Sequence, residues 1–353
     1  METKTILQRA AELRASDLFT IAGRPHSYRK NEQLLTEEGE RLMTEDTARM
    51  IQDIYALAGG RDMDELLQTG DDDFSFALPG ICRFRVNAYK QRGSLAAVIR
   101  VIRFSLPTPE EMHIPSSIIE LGSLSKGLVL VTGPAGSGKS TTLACIIDHI
   151  NHTADKHIIT LEDPLEYLHR HDKSIVSQRE INTDTESYVT ALRAALRQSP
   201  DVILLGEMRD YETMQIAMTA AETGHLVFST LHTIGAANTI DRIIDVFPAN
   251  QQQQISVQLS MTLQAVISQQ FVPDVDGHII PAFEFLTMTP AVRNMIRDNK
   301  VPQIDGMLYS AAGSDTMYSM DTCLAGYYRK GMITRETALL YAANPEMLKR
   351  KLG

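Results

Sequence analysis

Gly133-Pro134-Ala135-Gly136-Ser137-Gly138-Lys139-Ser140 is a complete G-x-x-x-x-G-K-[ST] run. It stands directly after the apolar stretch 128–131 and before Leu143, Ile146, Ile147 and Ile150, which recur at helical spacing. Strand, glycine-rich turn and helix in that order make the phosphate-binding loop of an α/β domain. Glycines let the backbone curl until several N–H groups point inward, and the following helix adds its positive end. Lys139 is placed to reach β- and γ-phosphates, and the Ser140 hydroxyl to ligate Mg²⁺. The expected nucleotide contacts are Gly133, Pro134, Ala135, Gly136, Ser137, Gly138, Lys139, Ser140 and Thr141, with ATP and Mg²⁺ as the ligands. A ligand-free strand-to-helix turn is the plain alternative, and the intact motif in its proper setting weighs against it.

Working outward, short apolar runs at 158–161, 202–205 and 226–228 read as buried strands of a mostly parallel sheet. Tyr188, Leu192, Ala195 and Leu196 recur at helical spacing between them. This is an α/β layered domain, and its last part, from about Thr287, is mainly helical in pattern. Upstream, 82–89 and 96–102 alternate around Gln91-Arg92-Gly93 and read as a β-hairpin. Pro107, Pro109 and Pro115 interrupt regular structure, so a domain boundary is placed near residue 110.

The chain of 353 residues is long enough for about two domains, and 43% hydrophobic with 22% charged residues is an ordinary globular balance. Cys82, Cys145 and Cys323 are too few and too scattered for a disulfide framework or a four-thiolate zinc site. No run nears the roughly 18 apolar residues of a membrane span, and the charged start lacks a signal-peptide block. A cytoplasmic protein is expected. The net charge of −10 and the lack of a basic, aromatic strip argue against nucleic-acid binding.

Carboxylates separate a hydrolase from a mere nucleotide binder. Glu162-Asp163 follows the 158–161 strand and Glu207-Met208-Arg209-Asp210 follows the 202–205 strand, at the strand ends where open α/β sheets bind ligands. Two acidic sites fit two tasks, holding Mg²⁺ and orienting the attacking water. Acids capping the next helix are the competing reading. His225 and His232 flank the 226–230 run; their spacing makes no tight metal pair, but His232 stands where an imidazole could donate to a γ-phosphate. Arg83, Arg85 and Arg100 take alternating strand positions, either an exposed face or, packed on another subunit's nucleotide, charge-neutralising fingers.

Together these motifs resemble the secretion and type IV pilus ATPase family over nearly the whole chain. Residues 133–140 look like its Walker A loop, 159–166 its aspartate box, 204–210 its Walker B region and 223–233 its histidine box. The resemblance implies that Glu207 acts with Mg²⁺, that Glu162 polarises the lytic water, and that His225 and His232 are the box histidines. It implies a PAS-like α+β domain over 1–105, a linker over 106–117 and a RecA-like ATPase domain over 118–353. It further implies homohexameric rings in which Arg83, Arg85 and Arg100 act in trans. Extension and secretion members usually carry a longer N-terminal region and a four-cysteine zinc module, and neither fits this chain. Met208 within the Walker B region, and Ala291-Val292-Arg293-Asn294-Met295-Ile296-Arg297, are similar to retraction members; taken alone, the latter reads as an amphipathic surface helix. The implied output is pilin depolymerisation and pilus retraction at the cytoplasmic face of the inner membrane. An inner-membrane platform protein would be the direct partner and pilin an indirect one. The alternative is an accessory paralogue, a slow nucleotide-gated regulatory module at the pilus base.

Overall fold

The computed structural model describes residues 2–30, 33–37, 39–102, 106–311 and 314–352. The chain divides into two compact units, Met1–Ser105 with Glu166–Leu168, and Leu106–Leu165 with His169–Gly353. Residues 103–105, where the expected first domain ends, lie outside the described residues.

The first unit contains α1 (Thr3–Glu12), β1 (Asp17–Thr20), β2 (Ser27–Lys30), β3 (Gln33–Thr36), α2 (Thr44–Leu57), α3 (Asp64–Thr69), β4 (Asp71–Leu78), β5 (Cys82–Gln91) and β6 (Ser94–Ile102). Its strands form one antiparallel sheet in the order β3-β2-β1-β6-β5-β4. The hairpin read from the sequence is β5–β6. Gln91 pairs with Ser94 across a two-residue turn, with Arg92 and Gly93 at φ 46° and 78°, the doubly positive geometry that matches strand twist. Cys82, Phe84, Val86 and Ala88 point into a core shared with Ile51, Ile54 and Tyr55 of α2. This is the α+β, PAS-like half of the fold.

The second unit opens with α4 (Ser116–Ile119), β7 (Gly127–Thr132), α5 (Lys139–Thr153), β8 (His157–Glu162), β9 (Ile175–Glu180), α6 (Tyr188–Ala195), β10 (Val202–Leu205), α7 (Tyr211–Glu222) and β11 (Leu226–Leu231). It continues with α8 (Ala236–Val246), α9 (Gln252–Thr262), β12 (Leu263–Pro273), β13 (Ile279–Thr287), α10 (Pro290–Arg297), α11 (Gln303–Ser310), β14 (Met317–Tyr318), α12 (Met320–Arg329), α13 (Arg335–Leu340) and α14 (Pro345–Leu352). The sheet order is β14-β13-β12-β7-β11-β10-β8-β9, parallel from β12 to β9 and antiparallel at β13 and β14. Every residue of β7, β10 and β11 is buried, as expected of central strands covered on both faces. Alternation divides them: Leu128 and Leu130 join a core with α6, α7 and α8, while Val129 and Val131 join another with α5. Helices on both faces of a largely parallel sheet make this half the RecA-like α/β domain.

Four strands of this sheet coincide with the apolar runs read from the sequence. The structure adds β9, β12, β13 and β14. In β12 the polar Ser268, Gln269 and Gln270 interrupt the apolar run, so periodicity hides an eleven-residue strand. Residues 106–117 pack on the second unit: Ile114 is in the α5-side core, and the Cys145 thiol donates to the Pro107 carbonyl at 3.4 Å.

Candidate active site

The parallel strands deliver their C-terminal ends to one edge of the second unit. β7 ends at Thr132 and the loop begins at Gly133, whose N–H donates to the Leu231 carbonyl at the end of β11. Gly133, Gly136 and Gly138 have φ of 139°, 76° and 86°, values open to glycine and strained for other residues. Gly138 is the N-cap of α5, so the loop feeds straight into a helix N-terminus. Lys139 is 8% exposed, and its Nζ donates to the carbonyls of Gly133 and Pro134 at 2.9 and 2.8 Å. The ammonium thus folds back over the loop it serves. Ser137 Oγ is buried without a hydrogen-bond partner, a polar atom the loop leaves for a ligand to satisfy. Ser140 and Thr141 are half-buried in the first turn of α5.

The acidic residues come from the next strands. β8 and β10 pair with Leu161 opposite Leu205, and the Gly206 N–H donates to the Leu161 carbonyl at 2.8 Å, so Glu162 and Glu207 leave neighbouring strand ends. The Gly206 carbonyl accepts from Thr230 Oγ1 at 2.6 Å, and the Met208 N–H donates to the Thr230 carbonyl at 3.2 Å, which ties the Glu207 turn to β11. Glu207 is only 12% exposed; Oε1 takes an ion pair from Arg209, and Oε2 lies 3.5 Å from His232 Nε2. That bond to Glu207 raises the Arg209 pKa. His232 is held near the loop by hydroxyls, Thr233 to Thr239 at 2.7 Å and Thr239 to Thr132 at 3.4 Å.

The structure separates residues that the sequence left equivalent. Asp210 is a helix cap: its carboxylate accepts from the N–H and hydroxyl of Thr213 at 2.8 and 3.0 Å, starting α7. His225 is at the wrong end of β11 for its own chain's phosphate loop. It precedes Leu226, its carbonyl accepts from Gly127 at the start of β7, and its Nδ1 is 3.0 Å from the Ala220 carbonyl. Six strand residues, about 20 Å, lie between it and His232. Arg85 and Arg100 are directly opposite on β5 and β6, on the face away from the core, with Arg83 two residues along the same strand. Asp73 takes both Nε and Nη2 of Arg85, at 3.0 and 2.6 Å, and Asp17 takes Arg100 Nε at 3.2 Å. These carboxylates offset the like-charge pair.

Three contributors were invisible in the sequence. Tyr188, at the start of α6, sits in the notch between the acid-bearing strands: a Cβ on Gly206 would fall 2.8 Å from its hydroxyl, 3.3 Å from the Leu161 carbonyl and 3.4 Å from Glu162 Cα. Burial, then the carboxylates of Glu207, Asp163 and Glu162, push its phenol well up. Gln269 and Phe271 of β12 form the floor of the loop, closing on Gly133 and Gly138. No local motif marks any of the three. The 291–297 segment, α10, is amphipathic as read: Val292 and Ile296 face inward. Arg293 Nη1 donates to the carbonyls of Ser260, Met261 and Leu263, closing the C-terminal end of α9.

A glycine-curled loop on a helix N-terminus, a lysine folded over it and two strand-end glutamates define a P-loop nucleoside triphosphatase. The chain belongs to the type II/IV secretion system protein family, which matches residues 3–319. It is 45% identical to the type IV pilus retraction ATPase PilT of Pseudomonas aeruginosa, over 98% of this chain and 99% of that one. It is 38% identical to the type IV pilus ATPase PilU of the same organism, over 100% and 92%. A solved structure of the pilus retraction motor PilT with bound ADP superposes with a TM-score of 0.90 at 44% identity, covering 99% of both chains. Among the described residues, no helix is long and apolar enough to cross a membrane.

Proposed function

We propose that this chain is a homohexameric ATPase motor that drives pilin depolymerisation and type IV pilus retraction, and hence twitching motility. Supporting it is full-length similarity to PilT, joined to a site that gathers a phosphate loop, its lysine and two strand-end glutamates. Lys139 and the N-terminus of α5 hold the phosphates. The unpartnered Ser137 hydroxyl and the oxygen donors Ser140 and Glu207 suit a phosphate-bound Mg²⁺, which would neutralise charge developing on the transferring phosphoryl group. Glu162 orients and polarises the attacking water, and His232 donates toward the γ-phosphate. Arg83, Arg85 and Arg100 act across the ring on a neighbour's nucleotide, Arg85 and Arg100 exchanging Asp73 and Asp17 for phosphate oxygens. We assign no role to His225 in its own chain's site.

The motor works at the cytoplasmic face of the inner membrane, its two domains, 1–105 and 118–353, moving about the joining segment 106–117. Force passes to a membrane-embedded platform protein and through it to pilin. The lower identity to PilU places an accessory role second. Two measurements test the reading. Purified protein should release phosphate from ATP, and Glu207→Gln should slow release at least about a hundredfold while retaining ADP binding; unchanged turnover would refute the role of Glu207. Cells lacking the protein should extend labelled pili but not shorten them, and normal shortening would refute retraction.

A further inference from the structure

β7 stops at Thr132, where the chain turns into the phosphate loop, but its neighbour β12 runs on. The register of Ser268 against Thr132 puts Gln269 level with Gly133. A Cβ on Gly133 would lie 2.0 Å from the Gln269 carbonyl oxygen, and a Cβ on Gly138 would lie 2.9 Å from Gln269 Nε2 and 2.8 Å from Phe271 Cζ. One residue therefore meets the first and last glycines of the loop, by main chain at one end and by side chain at the other. Its third contact is with the following helix: Gln269 Oε1 accepts from Thr142 Oγ1 at 2.8 Å.

Gln269 is 1% exposed, and the preceding residues on the same face, Ala265 and Ile267, lie in an apolar core. A primary amide is a costly occupant there, and leucine of similar volume would carry no such penalty. Stability of the strand thus gives no reason for a glutamine; the shape of the loop does. We propose that Gln269 is a positioning residue of the phosphate loop, bracing Gly133 and Gly138 and pinning the first turns of α5 through Thr142. The loop N–H groups then point inward before nucleotide arrives, and binding avoids the cost of ordering them. The inference rests on reading the loop as the ATP site.

The test removes the Gln269–Thr142 bond from either side. Gln269→Leu and Thr142→Val are each expected to weaken ADP binding about tenfold and raise KM for ATP similarly, with kcat at saturation within about threefold. The double variant should bind ADP no more than about twofold more weakly than the weaker single variant, because both changes delete one interaction. Thr142→Ser restores the hydroxyl and should regain most of the parent's affinity. Folded Gln269→Leu and Thr142→Val proteins that bind ADP as tightly as the parent overturn the proposal, as does a Ser variant as weak as Val. Where Gln269→Leu does not fold, the two Thr142 variants decide it alone. A parent chain that binds ADP yet releases no phosphate would count against the ATPase reading and leave the comparison of affinities valid.

Discussion

The carboxylate of Glu207 faces the imidazole of His232, Oε2 to Nε2, across 3.5 Å. They meet because β10 and β11 are adjacent and parallel, so residues just past their C-terminal ends share one side of the sheet. The histidine is 59% exposed and the glutamate nearly buried, so the imidazole bridges the acid and the open side of the site. Replacing His232 with alanine should lower kcat by about ten- to a hundredfold with KM for ATP within about threefold, the pattern of a group that acts in the transition state. Steady-state phosphate release checks it, and a change confined to KM would refute it.

Lys139 donates to two carbonyls of its own loop while almost buried. Alanine there removes the only ammonium within the motif and should abolish measurable ATP turnover, a loss of at least about a hundredfold in kcat/KM. The sheet and α5 do not depend on that charge, so the circular dichroism spectrum should match the parent. Turnover at the parent's rate would contradict the assignment.

Arg85 and Arg100 already hold Asp73 and Asp17 in their own domain. If they serve a neighbour's nucleotide, damage to them and damage to the loop fall on different subunits. Lys139→Ala and Arg100→Ala proteins, each inactive alone, should regain a fraction of parental turnover when mixed and reassembled. Mixtures that stay as inactive as their components would place Arg100 outside catalysis.

His26 gives a pH signature in the first unit. Burial lowers its pKa below the ordinary 6.5, and its Nδ1 is buried without a partner. The unfolded chain therefore takes up a proton near pH 6.5 while the folded one does not. Stability is intact above that pH and falls as pH drops toward the lowered folded value, by at most about 1.4 kcal/mol per pH unit. His26→Gln should flatten this limb in thermal unfolding between about pH 6.5 and 5; an unchanged slope would discount His26 as its source.

The phosphate loop, its strand and its helix were legible because their signals are local: glycine tolerates positive φ, apolar runs mark buried strands, and one motif spans eight consecutive residues. The hairpin around Arg92-Gly93 was legible for the same reason. Local pattern could not choose between Glu207 and Asp210, both acids after one strand. Tertiary structure made one a cap for Thr213 and turned the other toward His232. The sequence placed His225 and His232 on either side of the β11 run, and the structure showed that only the His232 end lies beside the phosphate loop. That follows from an extended backbone, which carries the chain about 3.3 Å per residue away from the site. Gln269, Phe271 and Tyr188 belong to the site only through strand order. The sequence by itself determined that a phosphate loop exists and which lysine serves it. Which strand runs on beside that loop, and so which buried side chains shape it, was decided by pairing between β7 and β12, far apart in the chain, and a one-dimensional pattern carries no record of such neighbours.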